Sequence, residues 1–215
     1  MIVSHEHQFI FLKTRKTAGT SIELALAQIC GPDDIITPLA DADEEIRREL
    51  GGRPPQHHTK PPLRRNAHAH LAARAVRRIV GPRTFNSYRK LSVERNPWDT
   101  VVSLYFWINR DVAEPQPFHE FAQSERLAHL ANRNAAVYRI DDAIVADTVL
   151  RQEDLTTGLA DWWTETGLPG DPHLPRAKSG SRPRTADYRD MYDDTTRDRV
   201  ASAFSLMLAD FDYRF

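Results

Sequence analysis

Lys16, Thr17, Gly19, Thr20 and Ser21 stand together in residues 8–23, QFIFLKTRKTAGTSIE, where an apolar run gives way to a basic, hydroxyl-rich turn and then to a helical pattern. A lysine, a glycine and hydroxyls ahead of opening helix amides are the parts of an anion cradle. The orphan N–H groups and the positive end of the helix dipole meet at that point. Phosphate or sulfate chemistry is therefore the expectation. The same residues also fit a strand-to-helix turn closed by a Thr or Ser cap, with no ligand. An ordinary ATPase or GTPase is disfavoured: its loop is GxxxxGK followed by Ser or Thr, whereas here Lys16 precedes Gly19 and the hydroxyls follow directly.

A second group lies in residues 90–107, KLSVERNPWDTVVSLYFW. Arg95 at a predicted strand end and Ser103 on the next helix are eight residues apart, a spacing that allows a guanidinium and a hydroxyl to converge on a second phosphate. Between the two groups, His68 and His70 offer a base titrating near neutrality. The set His57, His58, His68 and His70 is a poor metal site, because no carboxylate or thiolate stands at a fitting spacing and prolines separate the pairs. No metal ligand is expected. Of Trp162 and Trp163, one offers a stacking platform for a sugar and at least one belongs to the core. Trp98, Tyr105, Phe106 and Trp107 are expected to pack behind the Arg95 strand.

These residues need a scaffold, and at 215 residues with 40% hydrophobic content the chain suits one domain, 1–215, with a sizeable core. A formal charge of -1, from 29 basic and 30 acidic side chains, argues against a nucleic-acid coat, so any anion site is local. Cys30 is the only cysteine, which excludes an intrachain disulfide framework or thiolate zinc cluster. The start, MIVSHEHQ, lacks a leader pattern and no run of about 18 apolar residues occurs, so a soluble, cytoplasmic protein without membrane partners is expected. Residues 9–12 suit a strand covered on both faces. Ile22, Ala25, Leu26 and Ile29 follow at helical spacing, stopped by Gly31 and Pro32. Asp41 with Glu44 suggests a capping box for a short acidic helix to Leu50. A proline-broken basic loop over 53–66 holds Arg53, Lys60, Arg64 and Arg65. Beyond it come a helix over 70–80, a strand over 91–95 and a helix opened by Pro97. Helices are predicted over 118–130, 154–167 and 195–208, strand material over 144–150, and a Pro, Gly and Arg-rich loop over 168–187. This alternation predicts an α/β fold, a three-layer sandwich with a central, mostly parallel sheet flanked by helices.

Together the two motifs resemble the signature of sulfotransferases that use 3′-phosphoadenosine 5′-phosphosulfate (PAPS). The first is similar to that family's 5′-phosphosulfate loop, PKTxGTS, and the second to its 3′-phosphate motif, RNPxD with a Ser downstream. HLAARAVRRIVG before the second motif and DYRDMYDDTTRDRVASAFSLMLADFDYRF at the end extend the likeness over nearly the whole chain.

The resemblance implies a P-loop-like sulfotransferase architecture and a sulfuryl transfer from PAPS to a hydroxyl acceptor, a carbohydrate or glycan, releasing adenosine 3′,5′-bisphosphate without a required metal. Lys16 would contact the 5′-phosphosulfate and offset charge on the leaving phosphate. Thr17, Ala18, Gly19, Thr20 and Ser21 would wrap it, with Gly19 permitting close backbone approach. Arg95 and Ser103 would grip the 3′-phosphate, joined by Lys178 and Arg182 from the loop RAKSGSRPR. His70 would act as base, with His68 as substitute. Two positions depart from the family. Arg15 replaces its Pro and could add a phosphate contact, and Glu94 replaces a small apolar residue and should point to the opposite strand face. A nucleotide kinase or related phosphotransferase, and a degenerate nucleotide-binding module that has lost its base, are the alternatives.

Overall fold

Phe9, Ile10, Phe11 and Leu12 are all inaccessible to solvent, so this strand does lie between two covered faces. In the computed structural model, which describes residues 1–59, 67–175 and 187–215, the chain begins with β1 (Ile2–Ser4), β2 (Phe9–Leu12), α1 (Gly19–Ala27) and β3 (Ile35–Ile36). Next come α2 (Asp41–Glu49), α3 (Ala73–Val80), α4 (Pro82–Ser87) and β4 (Arg89–Glu94). Helices α5 (Pro97–Ile108), α6 (Phe118–Gln123) and α7 (Arg126–Tyr138) precede β5 (Arg139–Ile140), β6 (Ala143–Ile144) and β7 (Thr148–Arg151). Last are α8 (Leu155–Thr166), α9 (Asp194–Ala203) and α10 (Ser205–Phe211). Packing divides the chain into two compact units, Met1–Glu94 with Ala136–Ala177, and Arg95–Ala135 with Lys178–Phe215.

The first unit holds a five-stranded sheet in the order β3-β1-β2-β4-β7. β2, β4 and β7 pair in parallel, while β1 runs antiparallel to both its neighbours. Alternation along each strand assigns side chains to two cores. Ile2, Phe9, Phe11, Leu91 and Val93 pack with Ile22 and Leu26 of α1 and with Leu159, Trp162 and Trp163 of α8. Val3, Ile10 and Leu12 pack on the other face with Ala73 and Val76 of α3 and Phe85 of α4. The predicted α/β arrangement of a mostly parallel sheet between helices is thus present. Both tryptophans of α8 are core: Trp162 meets Phe9 edge to face at 5.7 Å, and Trp163 donates its indole N–H to the Pro169 carbonyl at 3.1 Å. Neither is a stacking platform.

The second unit is helical. Trp98, Val101, Val102 and Tyr105 of α5 pack with Phe118 and Phe121 of α6, Leu127 and Leu130 of α7, and Val200, Phe204 and Met207 of the C-terminal segment. Its aromatic residues therefore build a helical core rather than backing the Arg95 strand, and Trp107 is 41% exposed. The helix predicted over 118–130 is broken at Ser124, whose extended backbone separates α6 from α7. That over 195–208 is broken at Phe204, after α9 starts from an Asp193 and Thr196 capping box. In α2 the expected box is displaced. Ala40 is the cap, Asp41 falls in the first turn, and Glu44 accepts from the Leu39 amide at 2.6 Å. Among the described residues no helix is long and apolar enough to cross a membrane.

Candidate functional site

At the end of β2 the chain enters α1 through Arg15–Ala18, a loop with an unusual backbone. Lys16 and Ala18 both sit in the left-handed region, at φ 67° and 61°. For a side-chain-bearing residue that conformation costs about 1–3 kcal/mol and is held only where the surroundings enforce it. Left-handed residues alternating with ordinary ones turn successive amides toward one concave side, the geometry of an anion nest. Ala18 is the cap residue of α1 and no side chain caps the helix, so the plain Thr- or Ser-capped turn does not form. Among the described residues the amides of Thr17, Ala18, Gly19 and Thr20 have no acceptor. Orphan N–H groups at a helix start call for an external acceptor, water or anion.

The side chains divide the loop into an inner and an outer layer. Thr17 is buried, its hydroxyl 2.8 Å from that of Thr14, while Thr14 also donates to the Val93 carbonyl of β4. Only the Thr17 amide is left to serve an anion; its hydroxyl belongs to the scaffold. Gly19 has a packing role of its own. A Cβ there would lie 2.7 Å from Cγ of Lys13, so the glycine makes room for a lysine stem.

That lysine is a site residue the motif did not reveal. Lys13 is 5% exposed, donates to the Thr20 hydroxyl at 3.2 Å, and forms an ion pair with the fully buried Glu23, which the Met1 amino group also reaches. Burial alone would raise the Glu23 carboxyl, but the ammonium groups of Met1 and Lys13 outweigh it and hold the carboxyl down at about 2. The signal present in the sequence was a lysine directly after the apolar strand and a single glutamate inside an otherwise uncharged helix.

His70 lies in the turn before α3 rather than within it, and its Nδ1 is 3.0 Å from the Lys13 carbonyl oxygen. Half-burial, reinforced by the charges of Lys13 and Arg15 and only partly offset by that hydrogen bond, lowers the imidazole to about 3. It is neutral at pH 7 and does not titrate near neutrality as expected from the sequence, because burial and the two neighbouring cations disfavour the imidazolium. His68 is exposed, and partial burial followed by the Arg15 charge lowers it as well. The structure thus brings Arg15, Lys16, Lys13, His68 and His70 to one end of β2.

In the second unit, Asn96 caps α5 by accepting from the amides of Trp98 and Asp99 at 3.0 and 3.4 Å, with Pro97 in the first turn as expected. Arg95 donates Nε and Nη2 to one carboxylate oxygen of Asp99, at 2.9 and 2.6 Å. Ser103 is a further four residues along the same helix, so Arg95, Asp99 and Ser103 follow one face at helical spacing.

A cleft of about 370 Å³ opens beside the loop in the first unit, lined by Ala18, Ser21, Gln152, Asp154 and Thr156 among others. Its mixture of hydroxyl, amide and carboxylate groups suits a neutral polar ligand fragment. Lys178, Arg182, Lys60, Arg64 and Arg65 lie outside the described residues. Arg53, at the start of the basic loop, donates to the Cys30 carbonyl at 2.5 Å. Among the described residues no three His, Cys, Asp or Glu side chains are grouped to hold a metal ion. Comparison of the chain with protein-family models, curated proteins and solved structures gives no match.

Proposed function

We propose that this chain is a PAPS-dependent sulfotransferase acting on a hydroxyl acceptor, with a carbohydrate or glycan as the acceptor class and a cytoplasmic setting. The observation that carries the reading is the loop backbone, in which Lys16 and Ala18 are left-handed and the amides of residues 17–20, at a helix start, have no acceptor among the described residues. The bound donor would supply the activated sulfuryl group, its S–O bond to phosphate breaking as a new S–O bond to the acceptor oxygen forms.

Each residue then has a task set by its surroundings. The amides of residues 17–20 bind the anionic end, and Lys16 offsets charge on the leaving phosphate, where such compensation is most effective. His70 takes the acceptor proton at Nε2, because Nδ1 is engaged with the Lys13 carbonyl and so carries its own hydrogen. Arg15, half-buried next to Lys16, adds positive charge at the same loop. Arg95 and Ser103 are assigned to the 3′-phosphate by the motif they match, Lys178 and Arg182 by the likeness of their loop to the segment that closes on the nucleotide in that family, and Asp99 orients the Arg95 guanidinium. The cleft beside Ala18 and Ser21 offers hydrogen-bonding partners for the nucleoside. Incubation with PAPS carrying radiolabelled sulfate and a panel of glycans and small alcohols tests the reading. Transfer to a glycan hydroxyl supports it, and transfer of phosphate from ATP in its place would return the chain to the phosphotransferases.

A further inference from the structure

Resting on the reading of the loop as an anion site, we propose that Lys13 is a positioning residue, which fixes the Thr20 hydroxyl as a donor aimed at the bound anion and is itself held in place by Glu23.

Lys13 follows the last residue of β2 and its stem passes beneath Gly19, in the space a Cβ would occupy. The ammonium ends 3.2 Å from Oγ1 of Thr20 and in contact with Glu23. An ammonium has only hydrogens to give, so the Thr20 oxygen accepts and its own hydrogen must point elsewhere. Thr20 belongs to the first turn of α1, among the orphan amides. Its hydroxyl hydrogen is the side-chain counterpart of those amides, and with Lys13 in place it is committed to the same acceptor.

Fold stability gives no reason for a charge here. A cation at a helix start opposes the positive end of the dipole, and a buried ion pair gains little over two apolar residues of equal volume. Glu23 resolves the first conflict by neutralising Lys13 one turn into the helix. What remains unexplained by packing is the hydrogen bond to Thr20, and orientation of that hydroxyl accounts for it. Lys13 acts through Thr20, whereas Lys16 would meet the anion directly.

The test uses the full chain and titrates adenosine 3′,5′-bisphosphate and inorganic pyrophosphate into wild type, Thr20→Val, the double variant Lys13→Met/Glu23→Gln, and the triple combination. Thermal unfolding is recorded in parallel. The double variant, which also takes the Glu23 carboxylate away from the buried Met1 amino group, is expected to unfold cooperatively at a lower temperature than wild type and to bind both probes about tenfold more weakly, the loss of one hydrogen bond to a charged group. Thr20→Val is expected to lose the same factor alone and nothing further on the double-variant background. A purely structural pair would give additive losses, or none, and either result overturns the proposal. If the double variant does not fold, Thr20→Val decides, and affinity within twofold of wild type overturns it. Wild type that binds pyrophosphate but not the bisphosphate removes the sulfotransferase reading and leaves positioning to be judged on pyrophosphate. Wild type that binds neither removes both.

Discussion

The ring of His70 is docked through Nδ1 onto the main-chain carbonyl of Lys13, 3.0 Å away, which ties the candidate base to the end of β2, where the loop into α1 begins. A carbonyl can only accept, so the hydrogen is on Nδ1 and Nε2 is the accepting nitrogen. This is the tautomer a general base requires. His70→Ala is expected to lower kcat by about 10²–10⁴, the usual contribution of a positioned base. Bisphosphate affinity should stay near wild type, since the imidazole is assigned to the acceptor proton. Steady-state kinetics with parallel calorimetry separates the two.

The same imidazole makes stability depend on pH with a defined sign. Its value falls from 6.5 to about 3 on folding, so between these limits the unfolded chain binds more protons. Its contribution is complete above pH 6.5 and is lost as pH falls toward 3. Glu23, lowered from 4.5 to about 2, gives the same sign over the more acid window. Urea unfolding from pH 7 to 4 should show a slope that His70→Ala reduces; an unchanged slope would contradict the burial described for the ring.

Gly19→Ala is expected to destabilise the fold by about 1–3 kcal/mol, the range for overpacking a filled site. The new methyl would meet Lys13 Cγ at 2.7 Å. Shortening the stem in Gly19→Ala/Lys13→Ala should relieve that clash, and a double-mutant cycle by denaturant unfolding measures the coupling. Coupling near zero would mean that Gly19 answers to something other than Lys13.

Much of this framework was legible from local pattern. The apolar run Phe9–Leu12 announced a doubly covered strand, Asn96 with Pro97 announced the start of α5, and Gly167 stands at the C-terminus of α8 in the left-handed form expected of a helix stop. What escaped were relationships between distant residues and very short elements. β1 and β3 have three and two residues, too few to show a period. Lys13 passed as a strand end because its partners, Thr20 and Glu23, become neighbours only once α1 folds back over β2. Thr17 was grouped with the anion-wrapping residues through the motif it matches, yet its side chain faces Thr14. Ser124 and Phe204 interrupt helices whose apolar pattern continues past them, since periodicity records faces and not backbone breaks.

Lys16→Ala should reduce kcat by about 10²–10³, the scale for deleting one donor aimed at developing charge. Left-handed backbone at position 16 is more easily adopted by glycine, so Lys16→Gly should be no less stable than Lys16→Ala while equally impaired. Transfer assays and thermal unfolding of the two variants check both statements.

Calorimetric titration of wild type and Arg95→Ala with adenosine 3′,5′-bisphosphate and with adenosine 5′-monophosphate tests the central claim most directly. The bisphosphate is expected to bind wild type at least about tenfold more tightly than the monophosphate, the worth of a charge-assisted contact to the 3′-phosphate, and Arg95→Ala should erase that margin. Failure of wild type to bind the bisphosphate, or equal affinity for the two nucleotides, would contradict the account.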